Sequence, residues 1–68
     1  MLTAYKSYVY EIDINRVGDE WCAIGRVGRL VGTIFVSTAE RSKHSRGSAL
    51  TLSLALEKEL QKMIEALV

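Results

Sequence analysis

Lys6-Ser7-Tyr8-Val9-Tyr10-Glu11-Ile12-Asp13-Ile14-Asn15-Arg16 is the stretch on which the fold turns. Its even positions from 8 to 14 are Tyr, Tyr, Ile and Ile, and the odd positions between them are Val9, Glu11 and Asp13. Side chains alternate across a strand, so this pattern puts aromatic and branched groups on one face and carboxylates on the other. The stretch predicts a half-buried strand over about 5–16, in an antiparallel sheet with one wet side.

Outward from it, Val17-Gly18-Asp19-Glu20 reads as a hairpin loop, with Gly18 supplying a positive φ. A second strand is expected over about 21–27, with Trp21, Ala23, Gly25 and Val27 on one face. A third, over about 30–38, contains the β-rich run Thr33-Ile34-Phe35-Val36. Gly25, Gly28 and Gly32 fit a turn, a bulge or a close backbone approach, and the turn is placed near Gly28-Arg29. Their spacing matches neither a dinucleotide fingerprint nor a P-loop.

From Glu40 to Ser48 no side chain is apolar, and residues 40–47 read as an exposed basic loop. A competing reading for residues 38–46 is a short helix, because Ser37-Thr38-Ala39-Glu40 has the form of a capping box. The final element is a helix over about 48–67. Leu52, Leu56, Leu60, Met63 and Leu67 recur at helical spacing, and Ser45, Gly47 or Ser48 is placed to cap its start. The fold class is therefore α+β: a single small two-layer β-β-β-α domain, with a three-stranded antiparallel meander packed by one C-terminal helix.

Composition bounds the function. The 68 residues carry nine Lys and Arg against eight Asp and Glu, a net charge of +1, so no partner can be read from bulk charge. The longest uncharged stretches, Leu30–Ala39 and Gly47–Leu56, are ten residues each and far short of a membrane span. No basic leader precedes an apolar run in Met1–Lys6, so a secretory signal is not expected. With one cysteine, no intrachain disulfide is expected, and the expected location is cytoplasmic.

Catalytic machinery is not expected. Zinc takes about four N, S or O ligands, and Cys22 and His44, alone of their kinds, fall on different elements. No serine sits in a nucleophile-elbow pattern. Glu11 and Asp13 share a strand face and could divide acid and base roles, although such a pair is more often the wet side of a sheet. No cofactor, metal site or catalytic residue is assigned.

Two surfaces carry functional expectations. Arg41, Lys43 and Arg46 put +3 within six residues, leaving −2 on the rest of the chain, and they lead into a helix start at Ser48. Cations beside helix N–H groups suit phosphate, so Arg41, Lys43, Arg46 and Ser48 are the candidate anion or nucleic-acid contacts. On a helical wheel Leu50 and Leu54 fall away from the core stripe, which makes them a candidate partner-contact patch. The order of elements, with a basic connection before the last helix, resembles the C-terminal part of a double-stranded-RNA-binding domain and is similar to small antitoxins of the HicB type. That resemblance covers Tyr8 to Leu67 in topology. The helix opens Ser48-Ala49-Leu50-Thr51-Leu52 with no cation before Lys58, and no proline follows the second strand, so the chain is assigned to neither family. The leading expectation is a small non-enzymatic interaction module that associates with itself as a homodimer or with another protein. The alternative is a nucleic-acid or anion-binding module.

Overall fold

A computed structural model describes residues 1–68. The elements are β1 (Thr3–Tyr5), β2 (Tyr8–Val17), β3 (Glu20–Val31), β4 (Ile34–Ser45) and α1 (Ala49–Leu67). The strands form one antiparallel sheet in chain order, β1-β2-β3-β4. The α+β architecture and its C-terminal helix agree with the sequence pattern, but the sheet has four strands rather than three.

The additional strand comes from a turn inside the expected first one. Tyr5 pairs with Tyr8 across the two-residue turn Lys6-Ser7, where Lys6 adopts φ 54°. Neither residue is a usual choice for that backbone region, so the turn leaves no compositional mark. From Tyr8 onward the alternation holds. Tyr10 is buried, and Tyr8, Ile12 and Ile14 pack against the core from the same face.

The glycine cluster does three different jobs. The β3–β4 turn is Gly32-Thr33, flanked by the pair Val31–Ile34, with Gly32 at φ 65°. It is not at Gly28-Arg29, and Arg29 lies within β3 rather than in a turn. Gly28 sits where the register slips: Val27 pairs with Ala39 and Gly28 with Ser37, leaving Thr38 as the extra residue of a bulge. The Thr38 hydroxyl donates to the Val27 carbonyl at 3.2 Å. A side chain at Gly28 would enter the backbone of the neighbouring strand, with its Cβ 1.9 Å from the Val36 carbonyl oxygen. Gly25 instead lets the helix approach, since a Cβ there would meet Leu60 Cδ1 at 2.7 Å.

Residues 40–47 are largely strand. Glu40–Ser45 continue β4 in a regular ladder on β3, from Arg26↔Glu40 to Trp21↔Ser45, so neither the loop nor the capping-box helix forms. An edge strand over solvent needs no apolar side chains of its own, because its ladder hydrogen bonds come from the neighbour. That is why the absence of apolar residues misleads here.

Helix α1 lays Leu52, Leu56, Leu60 and Ile64 on Tyr10, Ala23 and Val27, and these seven residues are the buried core. Full burial of an aliphatic side chain contributes about 1.5–3 kcal/mol. The opposite face of the sheet carries no second layer. Twelve-residue strands span about 40 Å, whereas the nineteen-residue helix spans about 28 Å, so α1 cannot cover the whole length of β3 and β4. The radius of gyration, 12.3 Å, exceeds the value of about 11 Å for a compact chain of this length and reflects that overhang. No helix is long and apolar enough to cross a membrane.

Candidate functional site

The residues expected to hold an anion are placed on two elements and a connection, and most are already engaged. Arg41 and Lys43 stand opposite Gly25 and Ala23, on the helix-bearing side of β4. Lys43 Nζ lies 2.6 Å from Glu59 Oε2, an oxygen otherwise shielded from solvent. Arg46 reaches Asp19 at 3.6 Å and Glu20 at 3.8 Å. Arg41 is exposed and lies outside these pairs. Ser48 is the helix N-cap: its hydroxyl accepts from Leu50 N at 3.1 Å and Thr51 N at 3.4 Å. The carboxylates offset most of the local +3, and the cap takes up two of the amides an anion would need.

The uncovered face of the sheet gathers the other polar residues singled out in the sequence. Arg26 is held by three carboxylates: Asp13 at 3.0 Å, Glu40 at 3.3 Å and Glu11 at 3.6 Å. The hydrogen bond to Asp13 pushes the guanidinium pKa upward, against the opposing effect of desolvation. Glu11 and Asp13 thus converge on a cation rather than on each other. Cys22 and His44, although on different strands, are direct cross-strand partners on this face. No group of three His, Cys, Asp or Glu is arranged to hold a metal ion.

Three tyrosines tie the sheet to the helix or to its neighbouring strand. Tyr10 donates to Glu57 at 2.6 Å and accepts from Gln61 at 3.2 Å, and burial followed by that carboxylate bond raises its pKa. Tyr5 donates to Glu65, which raises its pKa likewise. Arg29 stacks 4.5 Å from the centroid of the Tyr8 ring and donates to its hydroxyl at 3.0 Å.

Two apolar surfaces remain. Leu50 and Leu54 are each more than half exposed on the outer side of α1. Beside them an open concavity of about 500 Å³ is lined by Thr51, Leu54, Ala55, Glu57, Lys58 and Gln61. All six belong to one helix, so no second wall closes it around a small molecule. The larger surface is the overhanging end of the β3–β4 hairpin, where Leu30, Val31, Ile34 and Val36 are 49%, 64%, 67% and 45% exposed. β4 is the outermost strand, so its outer edge is unpaired. From Leu30 to Ala39 the hairpin carries no charge, whereas the rest of β4 carries Glu40, Arg41 and Lys43.

Sequence reasoning did not single out this hairpin as a surface. The signal was present in the ten-residue uncharged run, but apolar residues on both faces of a strand read equally well as a buried strand. Comparison with known proteins gives no relative against which to set these surfaces: no family model, no curated protein and no solved structure matches the chain.

Proposed function

We propose that this chain is a small non-enzymatic association module whose contact surface is the overhanging β3–β4 hairpin, with a second copy of itself as the leading partner. One observation carries the reading: four large aliphatic side chains at one end of the hairpin, Leu30, Val31, Ile34 and Val36, are about half exposed or more on a domain with only seven buried core residues. Such a cluster has a free-energy incentive to be covered. A domain this small gains stability from a partner in proportion to what is hidden. The polyanion reading is the weaker one, because Lys43, Arg46 and Ser48 are occupied by Glu59, Asp19, Glu20 and the helix cap.

Size-exclusion chromatography with light scattering, run over a range of protein concentrations at low and high salt, tests the proposal. The expected result is a concentration-dependent oligomer that survives high salt, since burial of apolar surface is not screened. A monomer at every concentration, with salt-sensitive binding of duplex or single-stranded nucleic acid, would replace this reading with the alternative.

A further inference from the structure

We infer that two copies join through antiparallel pairing of their β4 edges over Ile34–Val36, with Phe35 opposite its own counterpart, so that two four-stranded sheets become one continuous sheet. This rests on the association reading above and specifies its geometry.

Open strand edges template further pairing, and folded proteins usually guard them with charge or a bulge. On β4 both guards occur, and both lie beyond Ser37: the bulge at Thr38, then Glu40, Arg41 and Lys43. Ile34–Ser37 have neither and end in a tight turn at Gly32-Thr33. The β-rich, uncharged part of the edge is therefore the part left open.

Symmetry then restricts the register. A two-fold axis normal to a sheet keeps each face in place, so residues of like facing oppose one another and one residue meets its own copy. Centring on Glu40, Arg41 or Lys43 sets a charge against itself, and centring on Ser42 sets Arg41 against Lys43. Like charges directly opposite are destabilising. Centring on Val36 places Ile34 against the bulge residue Thr38 and Phe35 against Ser37. Centring on Ile34 runs Val36 into the turn glycine. Centring on Phe35 places the aliphatic Ile34 against Val36 and Phe35 against Phe35, an aromatic pair of the favourable cross-strand kind, with Ser37 falling beside the turn residue Thr33. No charged side chain falls inside that register, so a second copy meets no repulsion in it.

Disulfide trapping in a Cys22→Ser background reads the register directly. Opposed residues in an antiparallel pair have Cα atoms about 4.5–5.5 Å apart, within reach of a disulfide. Phe35→Cys should therefore form a covalent dimer rapidly under copper–phenanthroline oxidation. Thr33→Cys should not, because four residue steps separate it from its copy, about 13 Å. Ile34→Lys with Val36→Lys should shift the uncrosslinked protein to monomer with an unchanged far-ultraviolet circular dichroism spectrum. Leu50→Lys with Leu54→Lys should leave the dimer intact. Trapping at 33 in preference to 35, or at neither, overturns the register. A dimer that survives the Ile34 and Val36 changes but is lost with the Leu50 and Leu54 changes overturns the edge pairing while leaving the association module standing. A wild-type monomer at all concentrations overturns both.

Discussion

Replacing Gly28 with alanine isolates one steric contact on which the course of β4 depends. A Cβ at Gly28 would lie 1.9 Å from the Val36 carbonyl oxygen, 2.8 Å from its carbon and 2.9 Å from Ser37 Cα. Ordinary carbon–oxygen contact is about 3.3 Å, so the opposing backbone must retreat by about 1.4 Å. All three atoms are backbone, so no side-chain rotation relieves the clash. Overpacking of this kind costs about 1–3 kcal/mol, and moving β4 also endangers the Thr38–Val27 hydrogen bond, worth about 1 kcal/mol. Lower entropy of the unfolded alanine chain returns about 0.4–1 kcal/mol. The net loss is about 1–3.5 kcal/mol, centred on about 2.3 kcal/mol, against a total stability of about 3–10 kcal/mol for a chain of this length.

Thermal melting by circular dichroism should therefore show Gly28→Ala about 10–20 °C below wild type. Gly25→Ala should fall less, because the atoms it meets are methyl groups at the flexible ends of Leu60 and Leu56. Gly32→Ala has open space around it but must hold φ 65°, at a cost of about 1–2 kcal/mol. A Gly28→Ala midpoint within about 4 °C of wild type, together with a stabilising Gly32→Ala, would refute the bulge and move the turn back to Gly28-Arg29.

Leu56→Ala should cost about 2–5 kcal/mol in a denaturant titration, because Leu56 is fully buried in the centre of the helix–sheet contact. Lys6→Asn should stabilise the protein by about 0.5 kcal/mol, since asparagine tolerates the left-handed backbone of the β1–β2 turn better than lysine; an unchanged or lowered melting point would argue against that turn. Stability should also fall in alkali. Tyr10 has its folded-state pKa raised above its unfolded value of about 10, so its contribution is complete below that pH and is lost as pH rises through the folded pKa. Melts between pH 9 and 12 should show the decline steeper in wild type than in Tyr10→Phe, and equal slopes would contradict the part-buried Tyr10–Glu57 bond.

Periodicity made some of this fold legible and contact made the rest. Tyr8–Ile14 and Leu52–Leu60 carry their own burial pattern, so β2 and α1 could be read directly. β1 could not, because its existence depends on a turn made by Lys6 and Ser7, residues with no turn signature. The C-terminal half of β4 could not either, because its ladder with β3, the Arg26–Glu40 pair and the Lys43–Glu59 pair supply order that no single segment displays. At the candidate site the charges of Arg41, Lys43 and Arg46 were countable, but the partners of Lys43 and Arg46 lie on α1, β3 and the β2–β3 turn. Exposure of Val31, Ile34 and Val36 follows from the mismatch between strand length and helix length, and that of Leu30 from its place on the uncovered face; both are relations between elements rather than properties of one.

The strict meander has a consequence for the order in which the molecule assembles. Each strand pairs only with its neighbours along the chain, through two-residue turns at Lys6-Ser7, Gly18-Asp19 and Gly32-Thr33. Hairpins of this kind close over short loops, at little entropic cost, on a timescale of about 1–10 μs. The bond from Tyr5 to Glu65, by contrast, joins residues 60 positions apart and forms only once α1 has folded back across the whole sheet. Zipping from the turns followed by docking of α1 places the β2–β3 and β3–β4 ladders in the transition state and the helix contacts after it. Weakening α1, as in Leu60→Ala, then accelerates unfolding and leaves the folding rate nearly unchanged, and the unfolding arm of a chevron plot is where that appears.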